Sequence, residues 1–279
     1  MTALVVPVTP VVPLADAIAR HVVDGCSVAL EGFTHLIPFA AGHEIIRQGR
    51  RDLTVIRMTP DVVYDRMVGA GCVSRMVFSY SGNPGAGLLR RVRDAVENGW
   101  PRAIEIEEHS HAAMANAYEA GAAGLPCAMF RGYRGTDLPG VNANIRTLAC
   151  PFTGEELAAV PAIRPDVGIV HAQRADRAGN VMIEGIVGVQ KECVLASRAA
   201  IVTVEEVVDD LRTYAGRSGG SNACIIPSWC IDAVCLAPGG AAPSYVTGFY
   251  ARDNASYLEW DAIASDRERF TAWIEEHVL

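Results

Sequence analysis

Short apolar runs of strand length alternate with helically periodic segments along most of this 279-residue chain. That alternation limits the possible folds more than any other feature. Leu14, Ala17, Ile18 and Val22 recur at helical spacing before Asp24 and Gly25 end the segment. Residues 27–30 then read as a short buried strand. Further strands are predicted at 53–58, 75–79 and 103–107. Helices are predicted up to Gly49, from an Asp61 cap to Gly69, over 88–98, and from Ser110 to Gly121. Strand-like runs resume at 167–171, 181–183, 200–204 and 231–236. Strands joined through crossover helices run parallel. The expected fold class is therefore α/β, an open, mainly parallel sheet flanked by helices. Residues 131–165 break the rhythm; they are rich in Gly, Pro and Asn, and predict long loops with antiparallel excursions. No composition shift marks a boundary, so residues 1–279 are expected to form a single domain carrying that loop region.

Charge and cysteine usage narrow the function. The 24 basic residues against 32 acidic ones leave a net charge of −8. A nucleic-acid binder needs a basic face to neutralise phosphates, so no such partner is expected. No apolar run is long and continuous enough to predict a membrane span. The first 14 residues are apolar, but Pro7, Pro10 and Pro13 interrupt them and no basic residue opens them, so they read as an extended arm and not a secretory signal. The 8 cysteines show no C-x-x-C spacing, and several sit in apolar runs, as Cys26 does beside Val28 and Leu30. Buried thiols in a reducing cytoplasm fit that usage. The glycines near residue 85 follow neither a dinucleotide fingerprint nor a P-loop, so no nucleotide cofactor is expected. The Gly/Ser run at 217–221 reads as a flexible surface loop.

Parallel sheets bind ligands beyond the carboxyl ends of their strands, which directs attention to the loops after residues 30, 79 and 107. In EGFTHLIP (31–38), Gly32 permits a close backbone approach and Pro38 presets a helical turn. The backbone of Gly32, Phe33, Thr34 and His35 can cradle a phosphate or a thioester oxygen, although an ordinary strand-to-helix turn accounts for the same residues. The second loop, YSGNPG (80–85), offers Ser81, Gly82 and Asn83. In EIEEHSH (105–111), Glu105 and Glu107 share one strand face, and Glu108, His109, Ser110 and His111 lead into a helix. Ser110 suits a helix cap and the acids suit the positive helix end. Two imidazoles and an acidic run exceed what capping needs, and they offer acid–base chemistry. Their spacing is no zinc pattern, so no metal is expected. Arg131 and Arg134 lie in the glycine-rich stretch that follows.

These runs, together with AGHEIIRQG (41–49), MTPD (58–61), CPFTGE (150–155), GVQKE (188–192), VTVEEVVDD (202–210) and PGG (238–240), cover most of the chain. They resemble the A-type subunits of the class I coenzyme A transferases; EGFTHLIP and EEHSH are similar to the 3-oxoadipate branch. The resemblance implies transfer of CoA from succinyl-CoA to 3-oxoadipate in the β-ketoadipate pathway of aromatic-compound catabolism. The dianionic substrate so implied makes either Arg131 or Arg134 a candidate cation for it. It implies ping-pong covalent catalysis through a glutamyl-CoA thioester. It places the nucleophilic glutamate on a B-type partner, so no catalytic nucleophile is expected here, and it suggests an A2B2 assembly. CoA is then a substrate and there is no cofactor. The residues expected to wall the substrate and CoA site are Gly32, Phe33, Thr34, His35, Ser81, Gly82, Asn83, Glu107, Glu108, His109, Ser110, His111 and Arg134. Many A-type subunits of the wider family carry two glycines where this chain has Glu31 and Gly32, which leaves open whether Glu31 has its own acid–base task. The rivals are an acyl-CoA hydrolase or a glutaconate or acetoacetate transferase on the same fold, and a non-catalytic sensor, which would normally bring a basic DNA-binding region not seen here.

Overall fold

The computed structural model describes residues 9–84, 87–214 and 223–279. Residues 1–8 of the expected arm, Gly85, and the run at 217–221 lie outside the described residues. The strands are β1 (Ser27–Glu31), β2 (Leu53–Arg57), β3 (Val73–Phe78), β4 (Glu105–Glu108), β5 (Cys127–Phe130), β6 (Arg146–Ala149), β7 (Glu156–Pro161), β8 (Val167–Asp176), β9 (Val181–Glu184), β10 (Ala199–Val208), β11 (Ala223–Ile226) and β12 (Ala233–Leu236). The helices are α1 (Leu14–His21), α2 (Phe39–Arg47), α3 (Val62–Gly69), α4 (Arg90–Asn98), α5 (His111–Ala122), α6 (Leu138–Val141), α7 (Gln190–Ala196), α8 (Asn254–Ala264) and α9 (Arg267–His277).

The main sheet has nine strands among the described residues. Side by side and parallel run β12, β10, β8, β1, β2, β3 and β4. β9 turns back antiparallel on the end of β8, and β11 pairs antiparallel with β9. Val11 bridges to Val234, so the end of the arm lies along β12.

Alternation along each strand divides the core in two. Val28 and Leu30 of β1 face a cluster with Phe39, Val63 and Trp260, contributed by α2, α3 and α8. Ala29 faces the opposite cluster, with Met114 and Tyr118 of α5 and Cys193 of α7. The outer side of α5, through Ala113, Ala117 and Ala120, packs on Ala128, Ile145 and Val160. Ala128 and Val160 belong to a second, antiparallel sheet in the order β5, β7, β6. The stretch at 131–165 therefore holds two of that sheet's strands. Capping fixes where the site helices begin. Asp61 accepts the Val63 N–H at the head of α3 (3.3 Å), and Ser110 accepts the Ala113 N–H at the head of α5 (3.1 Å).

Candidate active site

Four parallel strands, β1 to β4, deliver their carboxyl ends to one edge of the molecule, and the loops that leave them form the candidate site. The loop after β1 is tightly constrained. A side chain at Gly32 would meet the Leu36 carbonyl oxygen at 2.6 Å and that of His35 at 2.8 Å, so only glycine fits. Thr34 and Leu36 hold left-handed backbone, with φ of 65° and 53°, which costs a non-glycine residue about 1–3 kcal/mol each. His35 is buried; its Nε2 lies 2.7 Å from the Ile186 carbonyl and therefore carries the proton, and its ring stacks on Tyr245. Burial lowers its pKa, so the imidazole is neutral. Phe33 is half-buried and Thr34 exposed.

Beneath this loop lies Glu31, a carboxylate fully buried at the end of β1. Its Oε1 accepts from the Met58 N–H (3.0 Å) and from the Tyr118 hydroxyl (2.8 Å). On the other side of the sheet, Arg57 donates to the Gly32 carbonyl (2.8 Å) and lies 3.6 Å from Asp61. Burial pushes Glu31 up to about 7, against the opposing pull of Arg57, Tyr118 and the Met58 and Gly32 N–H groups.

The loop after β3 divides its residues between roles. Ser79 donates to the Met58 carbonyl (2.6 Å), and its Oγ lies 3.2 Å from His111 Nδ1. Ser81 is half-buried, and Gly82 is buried with its N–H on the Pro60 carbonyl. Asn83 is buried and gives one N–H of its amide to the Tyr257 carbonyl (2.7 Å), which ties the loop to α8.

The β4–α5 turn carries a bonded chain of polar groups. Glu107 pairs with Arg75 and accepts from His109 Nε2 (2.7 Å). Burial works to raise the Glu107 pKa, but the bonds from His109, Asn144 and Arg75 outweigh it and hold the carboxyl at about 2. The Tyr133 hydroxyl lies 3.3 Å from His109 Nδ1. The same hydroxyl accepts the Ser110 N–H (2.9 Å). His109 is buried within this chain, whereas His111 is exposed. Glu108 is exposed, on the strand face opposite Glu107. Arg134 is exposed and lines a cavity of about 360 Å³ with Tyr133 and Arg131. Arg131 already meets both Glu155 oxygens, at 2.7 and 2.8 Å.

With this geometry in place, comparison with known proteins decides the family. Residues 11–237 match the coenzyme A transferase family. The chain belongs to that family. It is 60% identical to the A-type subunit of the 3-oxoadipate CoA-transferase of Pseudomonas knackmussii over 95% of its own length and 92% of that protein's. Among solved structures, the glutaconate coenzyme A-transferase of Acidaminococcus fermentans superposes with a TM-score of 0.87 at 32% identity, covering 96% of this chain and 88% of that one. A variant of the decarboxylase AibA/AibB gives 0.80 at 27% identity, covering 97% and 100%.

The expected loops of this CoA transferase chain thus meet at one end of the sheet, but their residues do not form one uniform surface. Thr34, Glu108, His111 and Arg134 are exposed; His35, Asn83 and His109 are buried. Four residues that organise the site went unmarked in the sequence: Arg57, Ser79, Tyr118 and Tyr133. Arg57 closes a mostly apolar strand, and Tyr118 is the sole phenol of α5; each is a polar tip where apolar packing is expected, and that was the signal to read. A second buried cluster joins His171 to Thr203 and Glu205 (both 2.8 Å), and Glu205 to the Tyr250 hydroxyl (2.6 Å) and the Gly239 N–H (2.8 Å). It pins residues 239–250, whose Tyr245 carbonyl accepts the Leu36 N–H, against the β1 loop.

Proposed function

We propose that this chain is the A-type subunit of a two-subunit enzyme that moves CoA from succinyl-CoA to 3-oxoadipate. The observation that carries this reading is the 60% identity, across 95% of the chain, to the A-type subunit of a 3-oxoadipate CoA-transferase. The fold by itself is not enough, since a decarboxylase shares it at lower identity. The nucleophilic glutamate then belongs to a B-type partner. Its carboxylate attacks the succinyl-CoA carbonyl, forming an anhydride and releasing CoA thiolate. The thiolate attacks the glutamyl carbonyl, which gives the enzyme thioester and frees succinate. 3-Oxoadipate then runs the same two steps in reverse and leaves as its CoA ester.

Two carboxylates at the strand ends are already committed within this chain. Glu31 is buried and accepts two hydrogen bonds, and Glu107 is tied between Arg75 and His109. This chain supplies the opposite wall: the strained backbone of residues 32–36 toward the thioester, His111 beside Ser79, and Arg134 as the cation toward a dicarboxylate. The assembly is A2B2, and CoA is a substrate with no separate cofactor. The test is an assay of the chain co-produced with its B-type partner, following CoA from succinyl-CoA with and without 3-oxoadipate. Acceptor-dependent formation of 3-oxoadipyl-CoA is expected. CoA release that does not depend on the acceptor would make the protein a hydrolase and contradict the proposal.

A further inference from the structure

Glu31 is too deeply buried to meet a substrate, yet it stands directly under the most strained loop of the site. A carboxylate without solvent is costly unless donors surround it. Here the donors come from separate elements: Met58 N–H from the end of β2 and the Tyr118 hydroxyl from α5. Arg57, reaching from the α3 side of the sheet, holds the carbonyl of the next residue, Gly32. The Tyr64 hydroxyl of α3 spans the same strand pair, donating to the Ile56 carbonyl (2.9 Å) and accepting the Leu30 N–H (3.1 Å). The titratable groups facing the carboxyl are thus Arg57 on β2, Tyr64 on α3, Tyr118 on α5 and Cys193 on α7. Glu31 and Arg57 together fix the Glu31–Gly32 segment from both faces of the sheet, at the point where the backbone enters the left-handed turns at Thr34 and Leu36. An apolar residue at position 31 would fill the same space and leave the Met58 N–H and the Tyr118 hydroxyl without an acceptor.

We infer that Glu31 is a positioning residue, whose carboxyl ties the ends of β1 and β2 to α5 and thereby sets the shape of the Gly32–Leu36 loop that faces the CoA thioester. The assignment of the loop to the thioester rests on the proposed function; the setting of its shape does not. The raised pKa of Glu31 gives the device a titration near neutral pH. Charge on the carboxyl strengthens its bonds to Tyr118 and Met58, so loop order and turnover rise as pH increases through about 7.

Two readouts test this on the complex with the B-type partner, using Glu31→Gln, Glu31→Ala and Tyr118→Phe. Amide hydrogen exchange reads the loop without reference to activity. Exchange across 32–37 should rise roughly tenfold or more in Glu31→Ala, and less in Glu31→Gln, which keeps an acceptor oxygen, while β1, β2 and β3 stay protected. In CoA transfer, kcat should fall about 10-fold or more in Glu31→Ala, with a smaller change in KM. The rise of kcat through pH 7 should flatten in Glu31→Gln, and Tyr118→Phe should shift it. A purely structural role would lower thermal stability and leave loop exchange, kcat and the pH profile of the folded complex as in the wild type; that result overturns the inference. A wild-type complex without CoA transfer would strike the proposed function alone, and the exchange measurement would still decide the role of Glu31.

Discussion

Ser79 determines what His111 can do. The Ser79 hydroxyl donates to the Met58 carbonyl, so toward His111 Nδ1 it can only accept. In the neutral ring that puts the proton on Nδ1 and makes Nε2 the acceptor on the exposed side chain. His109, two residues earlier, has both nitrogens engaged by Glu107 and Tyr133. His111→Ala in the assembled enzyme should therefore lower kcat/KM by about 10-fold or more with the complex still folded. Unchanged kinetics would remove His111 from the site. In the sequence the two histidines form one cluster, because side-chain direction at a strand-to-helix turn depends on the loop that lands on it. Here that loop brings Tyr133, with its left-handed φ of 62°, from far along the chain, and local spacing carries no trace of it.

At the scale of elements, most of what positions the site was legible. β1, β2, β3, β8 and β10 are runs of buried apolar residues joined by periodic helices, and the Asp61 and Ser110 caps announce α3 and α5. Other elements were not legible for physical reasons. β5 is four residues long and is a strand because β7 pairs with it. α8 and α9 were missed because aromatic residues dispersed among charges carry their burial: Trp260 and Trp273 pack against the Arg66 guanidinium, at 4.6 and 4.3 Å. β4 is an edge strand, mostly exposed, and Arg75 of β3 fastens it through Glu107. Held near 2 in the folded chain against a usual 4.5, Glu107 binds protons more weakly when folded than when unfolded. Its contribution is therefore complete above pH 4.5 and is lost as pH falls through 2. Urea unfolding of Glu107→Gln should show a loss of about 1–2 kcal/mol at pH 7, after allowance for solvent screening, that shrinks steadily as pH falls from 4.5 toward 2. A loss that stays the same across that range would mean that packing, and not charge, is what Glu107 supplies.

Across the whole molecule, the acidic chain places a strained backbone loop and an oriented imidazole at the carboxyl end of a parallel sheet, and an exposed arginine, Arg134, in a cavity beside the antiparallel sheet. The carboxylates Glu31 and Glu107 are both consumed by internal bonds. The proposed function puts the nucleophile on the B-type partner. The most direct test is the intact mass of both polypeptides once the complex has been incubated with succinyl-CoA and no acceptor acid. A CoA adduct on the B-type partner, with this chain unmodified and the adduct discharged by 3-oxoadipate, is the predicted result. An adduct on a carboxylate of this chain would contradict the division of labour between the two polypeptides.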